Sequence, residues 1–161
     1  MGLTVVSGDI FATQAQTAAL GLNAAGRLPA EPVFTHLQDR YPVFVSEFRR
    51  QGRAGRLRPG SVWFWREGTP WLAAFIVRET PQGPPRPRYI EAALLYLYHH
   101  GRREGLRSLA LLPLVDALDW PMFEDLVRQY APLIAVPLVL YRAYEPGTAA
   151  EASDIPPSGE A

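Results

Sequence analysis

Short apolar runs alternate with longer stretches patterned at the helical period, and that alternation constrains the fold of this chain more than any single residue. Residues 3–7 form a strand-length run ended by Gly8-Asp9, and residues 18–22 a second one ended by Asn23-Ala24-Ala25-Gly26. Pro29 and Pro32 hold the next few residues in a loop. Helices are expected at 33–40 and 43–51, split by Tyr41-Pro42, with Phe44 and Phe48 sharing one face at i and i+4. Residues 61–66 and 71–77 flank a Glu-Gly-Thr-Pro turn and read as an antiparallel pair. Beyond the proline-rich stretch 81–87, Ile90, Leu94 and Leu97 mark residues 88–100 as an amphipathic helix. A buried strand at 108–114, a helix at 121–130 capped by Asp119, and a closing strand at 134–141 complete the series. Strands alternating with helices give an α/β layered domain with a mixed sheet. A fold class alone names no activity.

Composition narrows the chemistry. A chain of 161 residues is one domain on length. There is no cysteine, so disulfides and thiolate chemistry are excluded. No apolar run approaches the ~18 residues of a spanning helix, and residues 1–10 lack the basic start of a signal peptide. The expectation is a soluble, cytoplasmic protein without a membrane contact. All 16 basic residues are arginine, and they balance 16 acids. Residues 145–161 carry four acids and no base, which leaves 16 bases against 12 acids in residues 1–144. The chain therefore divides into a folded body, 1–144, and an acidic tail, 145–161, rich in Pro, Gly, Ala, Ser and Glu and expected to be disordered.

Gly8-Asp9-Ile10 after the first strand and Asn23-Ala24-Ala25-Gly26 after the second resemble the opening of a macro domain. Within that family the spacing is most similar to the macro domains that reverse ADP-ribosylation of DNA, antitoxins paired with ADP-ribosyltransferase toxins. The fit continues through Tyr41-Pro42, Arg58-Pro59-Gly60, Ile90-Glu91-Ala92, Gly105-Leu106-Arg107-Ser108 and Leu118-Asp119-Trp120. The resemblance implies a three-layer α/β/α sandwich with a mixed central sheet, and an ADP-ribose pocket. By that resemblance Asp9 accepts a hydrogen bond from the adenine amino group, Ile10 supplies the adjacent backbone contact, and Asn23 faces the distal ribose, with Gly26 closing the tract. An ordinary strand-ending turn at Gly8-Asp9, and a turn at 23–26 in which Asn and Gly adopt left-handed geometry, are the plainer alternatives.

The chain departs from the family at chemically telling places. Leu20 stands where the first asparagine of the tract belongs, and Pro29-Ala30-Glu31 where a Gly-Lys-Gly holds the lysine tied to glycohydrolysis. Ala74-Phe75-Ile76 replaces Asn-Phe-Pro. The glycine-rich loop that wraps the diphosphate is cut to Val115-Asp116-Ala117. A diphosphate is held by a ring of backbone N–H groups, and a short loop carrying Asp116 offers fewer of them and sets a carboxylate near the phosphates. The candidate ligand residues are thus Asp9, Ile10, Asn23, Gly26, Val115 and Asp116, with no catalytic residue, cofactor or metal ligand assigned. A degenerate macro domain that binds ADP-ribose or a related nucleotide without turnover is expected. The alternatives are a protein-interaction module that has lost the site, and an active ADP-ribosyl glycohydrolase using atypical residues such as Glu31.

Outside that pattern, Arg49, Arg50, Arg53, Arg56 and Arg58 form a basic run with no acid in it, either a solvated face or a nucleic-acid phosphate contact. His99 and His100 are adjacent, so they do not face one metal ion as an i, i+4 pair would. Trp63, Trp65 and Trp71 read as core residues of the paired strands rather than a stacking platform.

Overall fold

A computed structural model describes residues 3–150. Six strands form one sheet: β1 (Thr4–Gly8), β2 (Thr17–Asn23), β3 (Val62–Trp65), β4 (Trp71–Arg78), β5 (Leu109–Leu111) and β6 (Leu138–Tyr144). Their spatial order is β1-β6-β5-β2-β4-β3, parallel throughout except for the antiparallel β3–β4 pair. Four helices cover the sheet: α1 (Pro32–Arg40), α2 (Pro42–Arg53), α3 (Pro87–Glu104) and α4 (Trp120–Ile134). Each opens with a proline in its first turn, where a missing N–H costs nothing and φ is already helical. The chain's many prolines are therefore start signals as much as breakers.

The three layers follow from strand period two. In β4, Leu72, Ala74 and Ile76 point to one face, where they join Leu20, Leu22, Leu37, Phe44 and Phe48 under α1 and α2. Ala73, Phe75 and Val77 point to the other face, where Leu94, Leu97, Phe123 and Val127 of α3 and α4 complete the second core. A sheet covered on both sides needs apolar residues at consecutive positions, and β2 and β4 supply them. Trp63 and Trp65 join the first core, Trp63 stacking on Phe44 at 5.3 Å between ring centres.

Several boundaries differ from the sequence reading. The strand expected at 108–114 pairs only over Leu109–Leu111, because Pro113 has no N–H for a ladder. α4 runs on to Ile134 through Pro132, and β6 accordingly begins at Leu138 and extends to Tyr144. Asp119 sits at the start of α4, but its side chain makes no capping hydrogen bond. Of the stretch read as an acidic tail, residues 145–150 are described and fold back on β1. Glu145 N–H donates to Gly8 O at 2.8 Å, and Asp9 N–H to Thr148 O at 2.6 Å. Residues 151–161 lie outside the described residues. Among the described residues, no helix is long and apolar enough to cross a membrane, and no group of three or more His, Asp or Glu is placed to hold a metal ion.

Candidate functional site

Topology locates the site before any side chain is considered. The loop leaving β2 turns toward α1 and α2 on one face, while the loop leaving its neighbour β5 turns toward α4 on the other. Adjacent parallel strands whose following loops diverge leave a crevice at their carboxyl ends, and ligands of open α/β sheets sit there. A cleft of about 340 Å³ occupies that crevice. Gly21 lies at its floor, Pro29 and Glu31 on the β2 side, residues 112–117 on the β5 side, and Arg78, Arg142 and Tyr144 at the ends of β4 and β6.

The sequence-predicted residues divide. Val115 and Asp116 line the cleft; Asp9, Ile10, Asn23 and Gly26 do not. Asn23 is buried, with both ends of its amide engaged by one loop: its NH₂ donates to Arg27 O at 2.7 Å, and its carbonyl accepts from Arg27 N–H at 3.3 Å. Leu20 is core. Glu31, raised as an atypical catalytic group, does face the cleft. Asp116 is not the bare carboxylate anticipated from the loop. It is 69% exposed and lies 3.3 Å from the Arg78 guanidinium, which is anchored from behind by Gly83 O at 2.8 Å. The pair offsets part of the Asp116 charge and leaves the rest of the Arg78 fork facing the cleft's other groups.

Asp9 is 2% exposed and met by donors from within the chain. One carboxylate oxygen accepts from Phe11 N–H at 2.9 Å, which caps the single 3₁₀ turn Ile10–Ala12 and buries Ile10 beneath it. The other accepts from Gly147 N–H at 3.0 Å and faces the Arg40 guanidinium at 3.1 Å. Around this knot Phe11 packs on Tyr41 and, edge-on, on Tyr144, whose hydroxyl is 2.6 Å from His36 Nδ1. Burial, together with the Asp9 carboxylate nearby, pushes the Tyr144 phenol above its ordinary range despite Arg40, so it stays neutral.

Sequence reasoning missed Arg40, Arg78 and Arg142. Two carried a readable signal. Arg78 follows Phe75-Ile76-Val77 and Arg142 follows Val139-Leu140-Tyr141, each the first charge after a buried parallel strand, where cleft residues of this architecture lie. Arg142 also lies 5.3 Å from the Trp120 ring, a cation–π contact that holds the guanidinium on α4's side.

The arrangement matches solved structures closely in shape and only distantly in sequence. The macrodomain of Thermus aquaticus DarG superposes with a TM-score of 0.77 at 20% identity, over 89% of this chain and 98% of that one. The macrodomain of Mycobacterium tuberculosis DarG gives 0.75 at 21%, over 91% and 100%. The chain has a macrodomain fold. Thermosipho africanus DarTG, solved in complex with ADP-ribose, matches at 0.80 and 19% over 92% of this chain and 43% of that longer one. No protein-family model matches the sequence, and neither does any curated protein.

The arginine run lies elsewhere on the fold. A second cavity of about 550 Å³, sharing no residue with the cleft, is lined by Ala25, Gly26, Arg27, Leu28, Arg49, Gly52 and Arg53. Gly26, at φ +71°, sits back to back with Gly52 of α2, and this contact delivers Arg27 to the arginines of the helix. Among the described residues, Arg50 pairs with Glu47, whereas Arg27, Arg49, Arg53, Arg56 and Arg58 have no ion-pair partner.

Proposed function

We propose that this macrodomain binds ADP-ribose or a related nucleotide weakly, in an altered mode, without hydrolysing it. The observation that carries the reading is the pair Arg78 and Arg142 at the strand ends of a switch-point cleft that has lost its glycine-rich loop. Guanidinium groups offer a phosphate the donors that backbone amides would otherwise supply, in a fork suited to two oxygens. Hydrolysis finds less support: the chain has no lysine, and the carboxylates lining the cleft are Glu31 and Asp116, with the Tyr144 phenol beside them.

Isothermal titration of ADP-ribose tests the binding. Heat at millimolar ligand is expected, and a folded protein that gives none would sink the reading. Arg142→Gln should weaken binding about tenfold, the size of one lost charge-assisted hydrogen bond of ~1.5 kcal/mol. Steady release of ADP-ribose from modified DNA or protein would overturn the non-hydrolysing part.

A second reading is favoured by the carboxylate-free cavity over α2, which fits a nucleic-acid phosphate backbone better than a protein partner. Its lining has three arginines and neither a carboxylate nor an aromatic side chain, which suits a row of phosphates. Fluorescence anisotropy with a labelled duplex should show binding whose salt slope is about −2.7 for three phosphates neutralised. The triple variant R27Q/R49Q/R53Q should lose it, whereas R102Q/R103Q/R107Q should keep it. Equal losses would mark the attraction as unspecific charge.

A further inference from the structure

We infer that residues 145–148 are an intramolecular occupant of Asp9, a strap that sets which ligands the resting protein accepts. The inference rests on the ADP-ribose reading, together with the role that the resemblance gives Asp9, an acceptor for the amino group of the nucleotide base. Three donors from inside the chain, Phe11 N–H, Arg40 and Gly147 N–H, meet that carboxylate, and the last of them belongs to the strap. The Asp9 N–H is taken as well, by Thr148 O. Behind them the fit leaves no slack: a β-carbon on Gly8 would lie 2.8 Å from Thr148 O and 3.0 Å from Ala150 N.

The strap is built to let go. Among the described residues its hold on the sheet is three backbone-level hydrogen bonds, Glu145 to Gly8, Asp9 to Thr148 and Gly147 to the carboxylate, with no residue of 145–150 in either core. On its far side lies a cavity of about 560 Å³ bounded by Val5, Ser7, Arg142, Glu145 and Thr148, so there is room beside it. Arg142 lines this cavity and the cleft alike. With the strap seated, the cleft alone is about 340 Å³, near the floor of the roughly 300–1,000 Å³ range of ligand sites. The resting protein therefore favours a small phosphorylated sugar lacking a base. ADP-ribose binds only by displacing Gly147 and Thr148.

Gly147 is the residue to change. It holds φ +74°, and nothing lies within 4 Å of an added β-carbon. Gly147→Pro removes the N–H and forbids that φ; Gly147→Ala keeps the N–H and only strains the turn. Titrations of ADP-ribose and ribose 5-phosphate against the full-length protein and both variants decide the matter, with hydrogen exchange at the Gly147 amide as a second readout. The expected result is about a tenfold gain for ADP-ribose in the proline variant, a smaller gain in the alanine variant, and no change for ribose 5-phosphate. ADP-ribose should also deprotect the Gly147 amide in the unmodified protein. Equal ADP-ribose affinity in all three proteins, with the amide still protected, would overturn the strap while leaving nucleotide binding intact. Absence of ADP-ribose binding in all three would instead remove the reading beneath it, and the strap with it.

Discussion

Gly52→Ala destabilises this domain by about 3 kcal/mol, the upper end of overpacking penalties, although the substitution lies within a helix. Helix propensity alone favours alanine over glycine by about 1 kcal/mol. Sterics wins here because the neighbour is main chain. A β-carbon on Gly52 would overlap Gly26 Cα and lie 2.7 Å from both Ala25 O and Gly26 N. No rotamer relieves that, and Gly26 at φ +71° cannot retreat without reshaping the turn that Asn23 pins through Arg27. In urea, a midpoint lower by about 1–3 M is expected for an m-value of about 1–3 kcal/mol/M. An unchanged or raised midpoint would mean that the loop and helix part freely. The same variant moves Arg27 away from Arg49 and Arg53, so it should weaken duplex binding while leaving the cleft untouched.

Asp9→Ala is the second large effect, about 2–4 kcal/mol. The change leaves the buried Phe11 N–H without its acceptor, which costs about 1–3 kcal/mol, and breaks the bond to Gly147 N–H, which is exposed and rehydrates, for about 1 kcal/mol more. Arg40 contributes less than a buried pair would, since its side chain is 44% exposed and hydrates once released. Asp9→Asn should fall between, because its carbonyl still serves Phe11 while the charge facing Arg40 is gone. Equilibrium unfolding of the three proteins orders these outcomes. Equal stability of Asp9→Asn and Asp9→Ala would show that charge, not hydrogen-bond geometry, holds the knot.

The layered α/β architecture was legible because two periods coexist in one sequence. Ile90, Leu94 and Leu97 repeat at helical spacing, while the consecutive apolar residues of β4 fit only a strand covered on both faces. Ends were less legible. Ala135 closes α4 in a left-handed conformation, at φ +63°, that the sequence signals neither with glycine nor with asparagine, so the strand after it was placed too early. The positions of Asp9 and Asn23 could be read from spacing, but their surroundings could not. Asp9 is completed by Arg40 and by Gly147, at opposite ends of the sequence, and Asn23 by its own loop. Arg27 stands far upstream of the arginine run, and only the Gly26–Gly52 contact adds it to that surface.

Strand β1 has one partner, β6, with Thr4 beside Val139 and Gly8 beside Tyr144. A strand made first must therefore wait for the one made last. During synthesis β2, β3, β4 and α3 can assemble while β1 stays unpaired. Closing so long a loop adds only a logarithmic entropy cost, yet contacts this distant in sequence slow the search for the native state. Asp9 sits at the end of that waiting strand and takes its donor from Gly147. The knot thus forms only after β6 has been made, and a chain interrupted before β6 has neither a filled edge nor a strap to place on it.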